Sequence, residues 1–266
     1  MAYKYIDISK YQGDVDFEKV KDHVDGVIIR AGYGQNNIDS KFIRNISECN
    51  HLGIPCGVYW FSYAYTEELA RKEAEYCLAA IKPYRVELPV CFDFEYDSVD
   101  KAQKNYGVGI GKTLATALCH AFCGTIEAAG YYAMNYTNKD YLNRYFDEST
   151  LRYDLWLAAW LTKPDPKNPP RKDVGIWQYS SKGSVPGIVG NVDMDWAYKD
   201  YPAIIKAAGL NRLDKAEEPK ADEPWWAEAQ RWVAETGISD ADREDEPATR
   251  AQVWTMLHRM YKLLEK

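Results

Sequence analysis

The chain of 266 residues contains no stretch of roughly 18 apolar residues, so no membrane-spanning helix is expected. It also lacks a basic excess: 33 Lys and Arg stand against 40 Asp and Glu, a net charge of -7. Without a Lys/Arg-rich face or tail to release counterions, nucleic acid is not an expected partner. Histidine is scarce and scattered, at 23, 51, 120 and 258, and Cys119 and Cys123 share a helix face without a local histidine. Neither a metal site nor a cofactor is expected from such spacing. The six cysteines, at 49, 56, 77, 91, 119 and 123, sit inside apolar segments and read as buried free thiols. Met1 to Ser9 enters a strand-like pattern with no apolar h-region or cleavage site, so synthesis in the cytoplasm without a signal peptide is expected.

Two motif-like stretches also fall short. Gly107 to Thr113 imitates a phosphate loop, but the first glycine of GxxxxGK[ST] would fall on Tyr106. Asp240, Asp242 and Glu244 imitate a calcium loop whose sixth position is Asp245 and whose twelfth is Ala251, where Gly and Glu are needed.

What is abundant is aromatic surface, with 21 Tyr and 9 Trp, side chains that combine a flat apolar face with a polar tip. Over the first 200 residues short β-rich runs alternate with helical stretches. Eight strands are predicted: 3–8, 26–31, 54–63, 88–95, 130–136, 154–160, 174–179 and 191–196. Five helices fit between the early ones, at 17–24, 41–52, 67–81, 112–129 and 139–146. After Asp154 the connections are rich in Pro and Gly and hold no crossover helix. Some late strands should therefore run antiparallel. The expected fold is α/β, an irregular TIM-like barrel of eight strands and five helices over residues 1–210.

Residues 211–223 contain a highly charged run of linker composition, and residues 224–266 read as a small helical hairpin. Its first helix, 225–235, is followed by Gly237 as a C-terminal cap. Its second opens on Thr249 and Gln252 in capping-box spacing, ahead of an apolar stripe from Val253 to Leu264. So few residues provide little core of their own, which suggests docking or self-association.

Chemistry concentrates where the run from Leu88 ends in carboxylates. If the strand reaches Glu95, Asp93 and Glu95 share a face with Cβ atoms about 6 to 7 Å apart. Apolar neighbours and like-charge repulsion should then raise one pKa into the range of a general acid. A pair of solvated strand-end carboxylates would show the same spacing. Asp7 lies late in the first strand and Asp193 in the last, so closure would gather four carboxylates over one mouth, an arrangement suited to glycoside hydrolysis.

Asp7-Ile8-Ser9 with Gln12-Gly13, Arg30-Ala31-Gly32-Tyr33-Gly34, Gly57-Val58-Tyr59-Trp60-Phe61, Asp93-Phe94-Glu95, Trp177-Gln178-Tyr179 and Val192-Asp193 occur in family order. Together they resemble glycoside hydrolase family 25 lysozymes, and the likeness implies an eight-stranded, five-helix barrel that cuts the β-1,4 bond from N-acetylmuramic acid to N-acetylglucosamine. It further implies that Glu95 is the proton donor and that Asp93 sits beside the acetamido sugar. Asp7 and Asp193 complete the acidic set; Tyr59, Tyr136 and Trp156 correspond to sugar platforms, with Arg30 and Gln178 as polar supports. The implied partner is peptidoglycan, reached after release from the host bacterial cytoplasm, as for a phage endolysin; a secreted autolysin is the near variant.

The spacing leaves retaining, inverting and substrate-assisted routes open. Two residues of one strand cannot easily flank opposite faces of a sugar, which favours the last. A non-catalytic glycan-binding barrel and a chitinase-like hydrolase are the alternatives, the latter disfavoured because its Asp-x-x-Asp-x-Asp-x-Glu run is absent. The tail resembles one S-layer-homology repeat, through Trp226-Ala227, Glu235-Thr236-Gly237-Ile238 and Thr249-Arg250-Ala251-Gln252. That likeness implies a secondary cell-wall polymer held with help from Trp226 and Arg250, or homo-oligomers formed through the tail.

Overall fold

The structure, a computed structural model, describes residues 2–213, 227–236, 238 and 249–264. The chain divides into two compact units, 1–217 and 218–266. In the first, strands β1 (Tyr3–Ile8), β2 (Gly26–Tyr33), β3 (Asn37–Ile38), β4 (Cys56–Phe61), β5 (Val90–Asp93), β6 (Ala133–Asn138), β7 (Asp154–Ala158), β8 (Ile176–Gly183) and β9 (Val192–Ala197) form one sheet. Its order is β1-β9-β8-β7-β6-β5-β4-β2, and a β1–β2 pairing closes it into an eight-stranded barrel, with short β3 added to β2.

All barrel pairings are parallel except those of β9, which is antiparallel to both β8 and β1. The reason lies in the connections. Residues 184–191 are too few for a crossover, so β9 doubles back, whereas 159–175 are enough to return β8 parallel to β7 without a helix.

The helices are α1 (Phe17–Val20), α2 (Phe42–His51), α3 (Glu67–Ile81), α4 (Tyr96–Tyr106), α5 (Lys112–Ala128), α6 (Lys139–Tyr145) and α7 (Tyr201–Ala207). The five expected helices are present, α1 shorter than expected. Two are additional. In α4 the apolar signal is thin, Val99 and Ala102, and the ends define the helix instead: Ser98 Oγ accepts the Glu95 N–H at 3.1 Å, and Gly107 closes it in the left-handed region at φ 67°. In α7, Asp200 caps the Ala203 N–H at 3.1 Å ahead of about two turns of helix.

Alternation sorts the barrel side chains into two cores. Ile6, Ile8, Val27, Ile29, Val90 and Phe92 pack outward against the helices. Tyr5, Ile28, Cys91, Met134, Trp156 and Ile176 fill the interior. All six cysteines are free and buried.

In the second unit, α8 (Ala227–Glu235) and α9 (Arg250–Leu264) are helical. The capping box at the start of α9 forms as its spacing predicts, with Gln252 Oε1 accepting the Thr249 N–H at 2.7 Å and Thr249 Oγ1 accepting the Gln252 N–H at 3.3 Å. The expected linker beyond residue 213, Trp225, Trp226, Gly237 and the calcium-like run from Asp240 lie outside the described residues, as does the side chain of Arg250.

Candidate active site

The parity that builds the interior also builds the site. On β1, Tyr5 faces inward, and so does Asp7 two residues on; the same step leads from Cys91 to Asp93 on β5, from Met134 to Tyr136 on β6, and from Ile176 to Gln178 on β8. Asp7 and Asp93 stand next to or at the C-terminal ends of their strands, and Tyr136 and Gln178 lie level with the ends of the neighbouring β5 and β7. Antiparallel β9 brings Asp193 in from its opposite end, directly across from Asp7. The barrel mouth thus gathers Asp7, Asp93, Asp193, Tyr59, Tyr136, Gln178 and Arg30.

Glu95 arrives differently from the expectation. Strand β5 ends at Asp93, and Glu95 is the cap residue of α4, still extended at φ -133° and ψ -169°. The extended step carries the alternation one residue pair beyond the sheet, so the charge of Glu95 bears on Asp93. Its backbone is fixed because Ser98 Oγ accepts the Glu95 N–H and donates at 2.6 Å to the Ser62 carbonyl. Ser62 in turn donates its N–H to the Asp93 carbonyl at 2.8 Å. Both acids are therefore held by one backbone clasp.

Burial shapes the electrostatics. It pushes the carboxyls of Asp7 and Asp93 well above the usual range, the first reinforced by the charges of Asp195 and Asp193 and the second by Glu95. Glu95 is raised by burial and by Asp97 and Asp193, against the Tyr136 hydroxyl, which favours the ionised form. Asp193 is pushed up to about 6 by burial. The cation at the mouth, Arg30, is committed: Nε and Nη2 lie 2.7 and 2.6 Å from Asp39 Oδ2. Arg30 still attracts the Asp93 carboxyl, but burial and Glu95 outweigh it, and a proton donor poised beside such a carboxyl is what protonation of a glycosidic oxygen requires. Among the described residues no group of His, Cys, Asp and Glu is arranged to hold a metal ion.

Gln178 ties the mouth together. Its Nε2 donates to Asp7 Oδ2 at 2.8 Å, while its Oε1 accepts the Tyr136 hydroxyl and the Trp160 indole N–H, both at 3.2 Å.

Residues 6–188 match the family described as Glycosyl hydrolases family 25. The chain belongs to this family. It is 27% identical over 197 residues to an autolytic lysozyme of Clostridium acetobutylicum, spanning 72% of this chain and 55% of that protein. The modular autolysin LytC of Streptococcus pneumoniae, solved with a synthetic peptidoglycan ligand, matches with a TM-score of 0.62 and 30% identity over 74% of this chain and 47% of that one. The catalytic domain of endolysin ply40 from bacteriophage P40 of Listeria monocytogenes shares the fold, with a TM-score of 0.63 at 24% identity over 77% and 98% of the two chains. The chain spans about half the length of the first two relatives.

Within this family 25 barrel two aromatic assignments change: Tyr136, expected as a sugar platform, is 7% exposed with its hydroxyl bonded to Gln178, and it braces the acidic set instead of offering a sugar its face. Trp156, expected as a sugar platform, is 1% exposed; its ring meets Tyr59 and Tyr136 edge-on at 6.1 and 4.6 Å, and its N–H points to Asp195 at 2.7 Å. It floors the mouth and has no free face for a sugar. Trp160, two steps further along the same alternation and 62% exposed, presents the face that Trp156 lacks. Strand alternation alone gives the two tryptophans one direction, and only their depth distinguishes them. Tyr11, 75% exposed, was likewise missed; Arg30 stacks on it at 5.1 Å and on Tyr33 at 5.8 Å. Nothing in the spacing of Lys10-Tyr11-Gln12 marks it, because the short turn that carries it is set by Ser9 and Gln12 capping each other.

Proposed function

We propose that this protein is a peptidoglycan hydrolase, an N-acetylmuramidase that cleaves the β-1,4 bond between N-acetylmuramic acid and N-acetylglucosamine. The observation that carries this reading is the cation-poor pair of buried Asp93 and half-buried Glu95 at the mouth of a family 25 barrel. The autolytic lysozyme and the autolysin with its peptidoglycan ligand support the same substrate class.

Glu95 donates its proton to the glycosidic oxygen as the bond to the anomeric carbon breaks. Burial keeps that proton in place closer to neutral pH than for a solvated glutamic acid. Asp93 accepts a hydrogen bond from the acetamido N–H, orienting the acetamido oxygen to attack the anomeric carbon. Glu95, now ionised, takes a proton from the water that opens the resulting ring. Both acids enter from one strand end, which suits a nucleophile supplied by the substrate. Tyr136 and Gln178 hold the acidic set, and Trp160, Tyr59 and Tyr11 offer ring faces to flanking sugars. Digestion of purified wall should create reducing ends of muramic acid. Ends of glucosamine would make the enzyme a glucosaminidase, and no new ends would leave a glycan-binding barrel.

For the tail, we propose retention on the wall through a secondary polymer or through association of chains. Support comes from the apolar side chains that α8 and α9 leave exposed, Trp232, Trp254 and Leu257 among them. Removing residues after 217 should leave turnover of soluble glycan fragments nearly unchanged while lysis of intact cells falls. Unchanged wall pull-down and unchanged mass by light scattering would dismiss both roles.

A further inference from the structure

Asp195 is a carboxyl that the proposed mechanism does not use. It lies on the inner face of β9, two residues deeper than Asp193, and is fully buried, with Tyr5 of β1 and Gln178 of β8 as its register partners. The Trp156 indole donates to its Oδ1 at 2.7 Å, and its Oδ2 has no donor. The Asp7 carboxyl lies within hydrogen-bonding reach, itself receiving Gln178 Nε2 at 2.8 Å. The titratable groups that bear on this pair are Asp193 on β9, Asp93 and Cys91 on β5, Tyr59 on β4, Tyr136 on β6 and Tyr179 on β8, all acidic. Arg30, the cation of the mouth, is bound to Asp39.

An ionised carboxylate only accepts hydrogen bonds, so two of them in contact repel unless one proton lies between them. A carboxyl buried merely to fill space would be replaced at no cost by an apolar side chain of similar volume. Here the carboxyl meets two groups that a methyl could not hold, the Trp156 N–H at Oδ1 and the carboxyl of Asp7.

We propose that Asp195 is a positioning residue that shares one proton with Asp7, so that the chain Trp156–Asp195–Asp7–Gln178 fixes the Asp7 carboxyl at the mouth. In this arrangement the pair carries one negative charge, and Asp7 keeps one orientation while substrate binds. This inference rests on the hydrolase reading for its effect on turnover, but not for the shared proton itself.

Two variants of the full chain separate positioning from filling. Asp195→Asn keeps an acceptor for Trp156 and turns an amide donor toward Asp7; Asp195→Ala removes both. The Asn variant should cleave soluble glycan fragments within about tenfold of the parent. The Ala variant should lose roughly 10²-fold in kcat with little change in KM, the scale on which a misplaced group is felt. With ¹³C-labelled aspartate carboxyls, and Asp7→Asn to assign the resonance, Asp7 should release its proton at lower pH in the Asn variant, because the second acid is gone. That titration needs no turnover, so it stands or falls apart from the hydrolase reading. If the Ala variant does not fold, the Asn variant decides on turnover and titration together. Equal losses in Asn and Ala, full activity in Ala, or an unmoved Asp7 titration would overturn the proposal.

Discussion

At the base of the barrel Asp154 opens β7 and receives Lys199 Nζ at 2.7 Å on both oxygens, with the hydroxyls of Tyr132 and Tyr201 at 2.8 and 3.0 Å. At the mouth Asp93 ends β5 with its Oδ1 unpartnered, Glu95 beside it, and the cation Arg30 held by another acid. The residue type is the same at both ends, and the strands are neighbours or next neighbours. The base acid is matched in charge and saturated in hydrogen bonds, so it locks strand ends together. The mouth acids are left with more carboxyls than cations, a state that costs stability and makes protons available for transfer. Even the local glycine follows this division: a Cβ at Gly175 would fall on the Tyr201 hydroxyl, which must stay close to reach Asp154.

The largest effect that tests this contrast is on turnover. Glu95→Gln should keep the fold, since the amide retains an acceptor oxygen and Ser98 Oγ still caps the backbone N–H, yet lose roughly 10² to 10⁴-fold in kcat, the usual worth of a positioned proton donor. Wall lysis at the parent rate would remove Glu95 as the acid. Asp93→Asn should cost about 10²-fold if the acetamido group is oriented there, comparable to losing one stabilising hydrogen bond in a preorganised site. Full activity in that variant would eliminate the substrate-assisted route while leaving Glu95 untouched.

At the base the expected effect moves from rate to stability. Asp154→Asn leaves Lys199 without its counter-charge and weakens two tyrosine hydrogen bonds, and it should cost about 2 kcal/mol, mostly from the hydrogen bonds because the Lys199 side chain is 41% exposed and its ion pair is screened by solvent. Urea unfolding measures that loss, and turnover per folded molecule should not change. A fall in kcat without a fall in stability would break the contrast between the two ends.

Much of this was legible in the sequence because barrel parity is a period of two that needs no long-range knowledge. The pattern from Tyr3 to Ile8 sets Asp7 inward, and the run ending in Asp93 does the same, so both meet once the barrel closes. The antiparallel turn of β9 follows from a connection too short to cross over. Depth was not legible. Trp156 and Trp160 share a direction, as do Asp193 and Asp195, and which of each pair meets solvent depends on where neighbouring strands end. The helix α4 escaped for a related reason: its apolar face is two residues wide, and its start is fixed by a serine bonded to a loop carbonyl 36 residues away.

Glu73 falls between the two ends and sharpens the contrast with an effect no larger. It is fully buried on α3, where its Oε1 accepts the Tyr63 N–H at 3.0 Å and Gln35 Nε2 at 3.4 Å, so it has donors but no bound cation. Lys101, stacked on Tyr63 at 3.7 Å, attracts it only from a distance. Burial wins, and the carboxyl is pushed up to about 7 from 4.5. A raised carboxyl means that the folded chain binds the proton more tightly than the unfolded one. Its contribution is therefore complete below about pH 4.5 and is lost as pH rises through 7. Between pH 5 and 8 that loss should amount to about 2 kcal/mol. Glu73→Gln keeps an acceptor for the Tyr63 N–H and cannot ionise, so thermal unfolding should match the parent at pH 5 and occur at higher temperature at pH 8. An equal fall in both chains would assign the pH dependence to the mouth instead, where Asp193, pushed up to about 6, loses stability over the same range.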